Sequence, residues 1–393
     1  MNYTFSDSFK KICMVLMGVG LLTIVSGFIV DSHRAWPTLL HNSFFFMALG
    51  LGALFFMAVQ YAAEAGWSAT VKRPMEAVAS FLPVGAAIFG VVVILSALHV
   101  NHIYHWADPH VHDPKSEHYD AIIAGKAAFL NPVFYIIRTI VYLAGWILFF
   151  RAFMKRSELE MQGYDYQNWK RSQSLAAWFL VFFAVTSSTS AWDWIMSIDT
   201  HWFSTLFGWY TFAGFFVSAI TTITLIVLHL KSKGLLPEVN DNHIHDLGKF
   251  MFAFSVFWTY LWFSQFMLIW YSNIPEEVTY FMDRFENYKF LFIFNLVLNF
   301  FFPFLVLMKR GSKRTYGLLK VVGVVILIGH WSDNFVMITP GVLKDHWHLG
   351  WMEIGTMLGF IGLFCYVVFS RLASKPVNNP NHVFYQESVH HHI

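Results

Sequence analysis

Long apolar stretches with few charges alternate with short polar stretches along the whole chain. A bilayer hydrocarbon core of about 30 Å needs about 20 consecutive helical residues, so each apolar stretch is long enough to cross it. Ten such segments are predicted, at residues 10–31, 42–65, 76–104, 130–153, 173–198, 203–230, 248–273, 286–308, 316–338 and 350–371. This pattern predicts an all-α polytopic membrane protein with ten transmembrane helices.

The polar stretches between these segments are too short to hold a separate soluble domain. The longest predicted connections are residues 105–129 and 154–172. We therefore expect residues 1–393 to form a single integral membrane domain. The polar tail at residues 372–393 is expected on the cytoplasmic surface, either disordered or docked.

A faint internal repeat relates two of the predicted helices. Asp193 lies near the outer end of helix 5 in the string AWDWIMSID, and Asp333 lies near the outer end of helix 9 in HWSDNFVMIT. The two helices are four apart in chain order. This spacing favours two four-helix units, residues 42–198 and 203–338, flanked by helices 1 and 10.

Composition supports the membrane assignment, and the positions of the basic residues supply an orientation. Charged residues make up 13% of the chain, against about 25% in soluble proteins. If the N-terminus is cytoplasmic, nineteen of the 26 Lys and Arg residues lie on the cytoplasmic side. By the positive-inside rule we expect both termini in the cytoplasm. A net charge of +2 gives no reason to expect a nucleic acid partner.

Helix 5 carries the first candidate site, because an ionisable side chain inside a membrane is costly and often functional. Asp193 shares one broad helical face with several hydroxyl residues, Thr186, Thr189, Ser190 and Ser197. Such hydroxyls can hold water or relay a proton to the carboxylate. The alternative is structural: the hydroxyls satisfy nearby carbonyls, and Asp193 pairs with a cation, for which Arg138 on helix 4 is the expected partner.

Helix 9 carries the second candidate site. His330 and Asp333 are three residues apart and therefore share a helical face. With Glu353 near the start of helix 10, they are expected to form a polar cluster that acts either as a proton relay or as an interhelical lock. Asn295 and Asn299 on helix 8, and Gln265 on helix 7, are expected to hold helices together by hydrogen bonds.

The cytoplasmic side offers a weaker candidate. Glu64 near the end of helix 2 is a possible member of a proton entry route. For the nearby Glu76 we favour an interfacial pair with Lys72 and Arg73.

Metal and redox sites are not expected on this chain. Histidines are frequent at residues 99–118, and imidazole is a common metal ligand, but no carboxylate–histidine pattern there has the spacing of a metal site. We find no convincing pair of histidines for haem b, and the two cysteines, Cys13 and Cys365, cannot hold an iron–sulfur cluster. We therefore expect no catalytic residue and no bound cofactor or metal on the chain itself.

Three long strings give the chain a family resemblance. They are AFLNPVFYIIRTIVYLAGW (128–146), SQSLAAWFLVFFAVTSSTSAWDWIMSIDTHWFSTLFGWYTFAGFF (172–216) and FWTYLWFSQFMLIWYSNIPEE (257–277). They resemble the NrfD/PsrC-like family of membrane subunits, and within it the ActF-type subunits of bacterial alternative complex III. The resemblance runs from helix 1 to helix 10.

The resemblance implies a subunit of a quinol oxidoreductase in the bacterial inner membrane that reduces cytochrome c or another high-potential acceptor. Haem c, iron–sulfur clusters and quinol are then expected on partner subunits: multihaem cytochrome c subunits, an iron–sulfur subunit and a sister NrfD-like subunit. The lipid bilayer and a terminal oxidase are further expected partners. The implied role is scaffolding and proton transfer, for which Asp193, His330 and Asp333 are the matching residues.

Two other functions stay open from the sequence. In the first, the chain itself is the quinol-binding NrfD-like subunit, and Asp193 accepts the quinol proton. In the second, the chain is a stand-alone secondary transporter that has no haem-containing partners.

Overall fold

The computed structural model describes residues 1–392, and ten helices in that range are long and apolar enough to cross a membrane. They are helix 1 (Asp7–Val30), helix 2 (Ser32–Ala62), helix 3 (Gly66–Ala97), helix 4 (Pro132–Gln162), helix 5 (Tyr166–Ile198), helix 6 (Leu206–Ser232), helix 7 (Asp241–Ser272), helix 8 (Lys289–Leu307), helix 9 (Tyr316–Leu343) and helix 10 (Trp351–Ala373). The described range contains no β-strand. The predicted fold class, an all-α polytopic membrane protein, is confirmed.

Polar caps set where helices 4 and 5 begin. The Asn131 side chain accepts the N–H of Phe134 at 2.9 Å, and Pro132 occupies the first position of helix 4. Asp165 accepts the N–H of Gln167 at 2.8 Å at the start of helix 5. Such caps satisfy N–H groups that have no partner in the first helical turn. Only residues 163–165 separate the two helices, so the predicted long connection at 154–172 is wrong.

Helices 2 and 3 also depart from their predicted bounds. Helix 2 begins at Ser32 rather than near residue 42, because Asp31 caps it through the N–H of Arg34 at 3.1 Å and Arg34 is itself neutralised inside the protein. Helix 3 ends at Ala97 rather than near residue 104. A short helix that was not predicted, Pro275–Asn287, lies between helices 7 and 8, and we call it the rim helix.

The helices pack as two rings of four with a flanking pair. In the first bundle, helices 2 and 4 each contact helices 3 and 5; in the second bundle, helices 6 and 8 each contact helices 7 and 9. The bundles meet where helix 6 contacts helices 2 and 5, and where helix 9 contacts helix 2. Helices 2 and 6 form the centre, since 89% of each apolar span is buried.

Helices 1 and 10 form the flanking pair and rest on helix 2. Glycines allow the pair to approach closely: a Cβ added to Gly20 would overlap the backbone of Gly359. Small residues at such contacts let membrane helices pack backbone to backbone. Helix 1 is otherwise exposed, with 17% of its apolar span buried.

Both termini lie at one end of the bundles, which we call the terminal end. The Val377 N–H donates to the carbonyl of Met1 at 3.0 Å. Residues 374–392 dock across this end: the buried Ser388 hydroxyl donates to the Trp67 carbonyl at 2.6 Å, and His391 contacts Asp246 of helix 7 at 2.8 Å. The tail thus links the two bundles, and Ile393 lies outside the described residues.

Candidate functional site

Asp193 of helix 5 is fully buried against helix 4 in the first bundle. Arg138 donates two hydrogen bonds to its carboxylate, from Nε to Oδ2 and from Nη2 to Oδ1, both at 2.8 Å. Tyr142, one turn further along helix 4, donates to Oδ2 at 3.1 Å. The expected Arg138–Asp193 pair is confirmed, and its two-pronged geometry matches the planar guanidinium group.

The Arg138 guanidinium is itself enclosed. The rings of Phe129 and Phe134 lie 3.9 and 4.2 Å from it, and its Nη1 donates to the Phe129 carbonyl at 3.0 Å. Aromatic ring faces attract cations. The result is a closed, charge-neutral unit in which loss of either partner would leave an unpaired buried charge.

The hydroxyl residues beside Asp193 direct their protons to carbonyls of their own helix. Thr189, Ser190 and Ser197 donate to carbonyls three or four residues earlier, at 2.9, 3.1 and 2.5 Å. These bonds match the structural alternative stated from the sequence, in which the hydroxyls satisfy nearby carbonyls. The donors are used within helix 5, and none of these three bonds reaches the Asp193 carboxylate.

Asp333 of helix 9 occupies the corresponding place in the second bundle, with 3% of its surface exposed. The Tyr210 hydroxyl of helix 6 donates to Oδ1 at 2.6 Å, and the Trp258 indole N–H of helix 7 donates to Oδ2 at 3.2 Å. Within residues 1–392, no Lys, Arg or His forms an ion pair with Asp333. The Arg284 guanidinium interacts with the Asp333 carboxyl electrostatically, without a hydrogen bond. Neutral donors therefore hold this buried carboxyl group.

His330 lies one turn from Asp333 on helix 9, and its ring meets that of Trp258 edge to face with centroids 5.3 Å apart. Across residues 1–392, neither of its ring nitrogens has a hydrogen-bond partner. The side-chain amides of Asn295 and Asn299 likewise have no partner in the described part of the chain. The expectation that these asparagines join helices by hydrogen bonds is wrong.

Asn299 belongs to a π-helical turn, Val297–Phe301, in helix 8. This turn presses its side chain against Gly329 of helix 9, where a Cβ would overlap Oδ1. Such turns often occur at functional sites. The second bundle therefore places several unsatisfied polar groups close to the depth of His330.

Glu353 lies apart from His330 and Asp333. Arg34 of helix 2 binds it through Nε at 2.8 Å and Nη2 at 2.5 Å, and Thr38 adds a bond at 3.2 Å. Within residues 1–392, no hydrogen bond or ion pair joins Glu353 to either helix 9 residue. The expected three-residue cluster is not formed, because helix 10 turns Glu353 toward the buried cation of helix 2.

The two acidic candidates at the terminal end differ sharply. Glu64 is exposed and accepts a hydrogen bond from Gln173 at 2.6 Å. Glu76 is fully buried and binds Arg73, with Ser157 donating at 2.5 Å. The interfacial pair favoured for Glu76 is thus present, but inside the protein.

Glu160 completes that buried network, and sequence reasoning missed it. Lys72 lies 2.9 Å from both of its carboxylate oxygens, and Asn379 of the tail donates to it at 2.7 Å. Glu160 was not recognised because it follows Arg156 by four residues, in a segment that was expected to be a loop. A helix extended to Gln162 would have placed it on a buried face.

The opposite end carries an ion pair between the helix 5–6 connection and the rim helix. Arg284 Nη2 lies 3.2 Å from Asp199 Oδ2 and donates to the Met337 carbonyl at 3.2 Å. Burial raises the pKa of the Asp199 carboxyl above its usual value, and the Arg284 guanidinium offsets part of the rise. Asp199 also lines an open groove that is shared with Trp202, Glu276 and Lys344.

Within residues 1–392, no group of three or more His, Cys, Asp or Glu side chains has an arrangement that could hold a metal ion. The histidines of residues 99–118 lie beyond the end of helix 3. His99 and His102 stand with ring centroids 5.6 Å apart, and His33 lies 6.4 Å from His102. The rings of His33 and His102 line a surface hollow beside Trp36.

Fold and sites together define a class: a ten-helix, multi-pass membrane protein with a buried aspartate at corresponding positions of two four-helix bundles, Asp193 in helix 5 and Asp333 in helix 9. No protein-family model matches the chain, and no curated protein matches it in sequence.

Proposed function

We propose that this chain is a membrane subunit of a quinol-oxidising respiratory complex of the alternative complex III type. In this role it scaffolds the complex and moves protons through its second bundle. Support comes from the three strings that resemble NrfD/PsrC-like subunits, and from the packing of helices 2–5 and 6–9 as two bundles.

The observation that carries the proton role is the surroundings of Asp333. An ionised carboxylate is costly in an apolar interior unless a cation pairs with it, whereas a protonated carboxyl needs only hydrogen bonds. Asp333 has the hydrogen bonds, from Tyr210 and Trp258, and lacks a paired cation within residues 1–392. We therefore assign Asp333 a proton that it can exchange.

Asp193 has a different role in this proposal. Its charge is already compensated by Arg138, so it stabilises the first bundle rather than carrying protons. Thr189, Ser190 and Ser197 belong to the same structural unit. The proton path consists of Asp333 and His330, and Glu64 and Glu353 lie outside it.

The proposed location is the bacterial inner membrane with both termini in the cytoplasm. The terminal end then faces the cytoplasm, in accord with the excess of Lys and Arg on that side. The rim helix and the Asp199–Arg284 pair face the periplasm. Haem c and iron–sulfur clusters belong to the cytochrome and iron–sulfur partners, and quinol is oxidised beside the sister NrfD-like subunit.

Purification of the chain from its native membrane in a mild detergent tests the assignment. We expect multihaem cytochrome c and iron–sulfur subunits to co-purify, together with quinol oxidation by an added high-potential acceptor. A chain that purifies alone, without haem, and transports a solute in vesicles would be a secondary transporter. Quinone density inside helices 2–5 would instead make it the quinol-binding subunit.

A further inference from the structure

A small buried cavity lies between Asp333 and the opposite end of the second bundle. Its walls come from helices 6, 7, 8 and 9 and the rim helix, and it has room for about one water molecule. The lining residues with the strongest polar groups are Tyr210, Gln265, Tyr280 and Arg284. The remaining walls are apolar or aromatic, from Trp262, Phe281, Phe292, Val336 and Met337.

Two of the polar side chains have an unused hydrogen-bonding atom. Gln265 is 4% exposed and Arg284 is 1% exposed. In the described part of the chain, neither Gln265 Oε1 nor Arg284 Nε has a hydrogen-bond partner. Gln265 Oε1 accepts hydrogen bonds, whereas Arg284 Nε donates one. A simple ion could satisfy only one of these two atoms, but a water molecule can satisfy both.

We infer that this cavity is a binding site for one ordered water molecule. The water accepts the Arg284 Nε–H and donates to Gln265 Oε1, and its second hydrogen faces the Tyr210 side of the cavity. Buried waters typically make about three such bonds to groups that would otherwise be unsatisfied. The walls exclude a larger ligand.

The water connects two hydrogen-bonded systems that the protein side chains leave separate. On one side, Tyr210 holds Asp333 at 2.6 Å. On the other, Arg284 binds Asp199, which lines the open groove at the opposite end. The binding site itself is independent of the proposed function; its use as the outward connection of Asp333 rests on that function.

X-ray radiolytic footprinting of the full-length protein in its native membrane tests the site, because hydroxyl radicals formed from a bound water oxidise the side chains beside it. Met337 lines the cavity and is 5% exposed. Met47 is the control, since it is 1% exposed and lines a cavity of similar size between helices 2, 4, 5 and 6. The hydroxyls of Ser190 and Thr211 in that cavity donate to carbonyls of their own helices. We expect Met337 to be oxidised several-fold faster than Met47.

Gln265→Leu and Gln265→Met remove the acceptor, and each is expected to slow Met337 oxidation toward the Met47 rate. Phe292→Leu changes the same wall without removing a polar atom and is expected to leave the rate unchanged. Equal rates for Met337 and Met47 in the unaltered protein would overturn the inference, whether or not the variants fold. Because footprinting needs no turnover, it reports on the bound water and not on proton transfer. The water site can therefore be confirmed even if the proposed proton role of Asp333 is wrong.

Discussion

The two bundles each bury an aspartate at corresponding helices, Asp193 in helix 5 and Asp333 in helix 9, but surround it in different ways. In the first bundle, Arg138 and Tyr142 give Asp193 three hydrogen bonds and a full counter-charge. In the second bundle, Tyr210 and Trp258 give Asp333 two hydrogen bonds and no paired charge among residues 1–392. A repeated position is therefore a poor guide to repeated surroundings. Asp193 has a paired cation, whereas Asp333 has only neutral hydrogen-bond donors, and on this difference rests the proposal that Asp333 exchanges a proton.

Most buried polar atoms without a hydrogen-bond partner in the described range lie in the second bundle, while His41, Gln60 and Trp192 of the first bundle each have one such atom. His330, Asn295 and Asn299 have no hydrogen-bond partners in the described range, and all belong to the second bundle. In the first bundle, Trp146 and Trp194 donate to threonine hydroxyls at 3.0 Å each. Buried groups without protein partners usually bind internal water, so hydration is expected mainly in the second bundle.

The largest effect on stability is expected from disrupting the Arg138–Asp193 ion pair. Arg138→Gln leaves the Asp193 carboxylate buried without a counter-charge, and should lower the free energy of unfolding by about 3–5 kcal/mol. Thermal unfolding in detergent, followed by tryptophan fluorescence, measures this. Adding Asp193→Asn removes the stranded charge and should recover most of the loss. A single variant as stable as the unaltered protein would mean that the ion pair does not hold the first bundle together.

Asp333→Asn is expected to separate function from stability. The amide keeps the size of the carboxyl group: its oxygen accepts the Trp258 N–H and its NH2 group donates to the Tyr210 hydroxyl. The unfolding free energy should therefore fall by about 1 kcal/mol or less. Proton-coupled turnover of the assembled complex should fall about 100-fold, the usual scale for a lost proton-transfer group. Ser332→Ala, a neighbouring buried change, is the control and should retain activity. Normal turnover by Asp333→Asn would remove Asp333 from the mechanism.

A small effect is expected at the rim of the first bundle, where His201 contacts Asp120 at 2.6 Å. Partial burial raises the pKa of Asp120, but the N–H of Ile123 and the His201 side chain outweigh it and hold the pKa below its usual value. The folded state therefore gains stability from this carboxylate above its unfolded pKa of about 3.9, and loses it as the pH falls through the folded pKa.

Because the contact is partly exposed, Asp120→Asn should lower the unfolding free energy by about 0.5 kcal/mol at neutral pH. The difference from the unaltered protein should vanish in acid. Paired unfolding curves at neutral and acidic pH measure it. A difference that grows in acid would contradict the sign of the pKa change.

Hydrophobic pattern predicted the ten helices because each span must be apolar for about 20 residues. Arg138 and Asp193 could be paired in advance because two opposite charges at similar depth on consecutive helices need each other. Tyr210 and Trp258 could not be recognised, since the chain contains 16 Tyr and 16 Trp and only packing selects the two that reach Asp333. The sequence left the tail either disordered or docked, because its polar composition is equally typical of a disordered end.

Infrared spectroscopy of the assembled complex tests the central claim most directly, since a protonated carboxyl group absorbs separately from an ionised one. The account predicts a protonated-carboxyl band that disappears in Asp333→Asn and changes during quinol oxidation. The same band should persist in the Arg138→Gln/Asp193→Asn double variant. A band that is lost in the double variant and kept in Asp333→Asn would reverse the roles of the two aspartates and contradict the account.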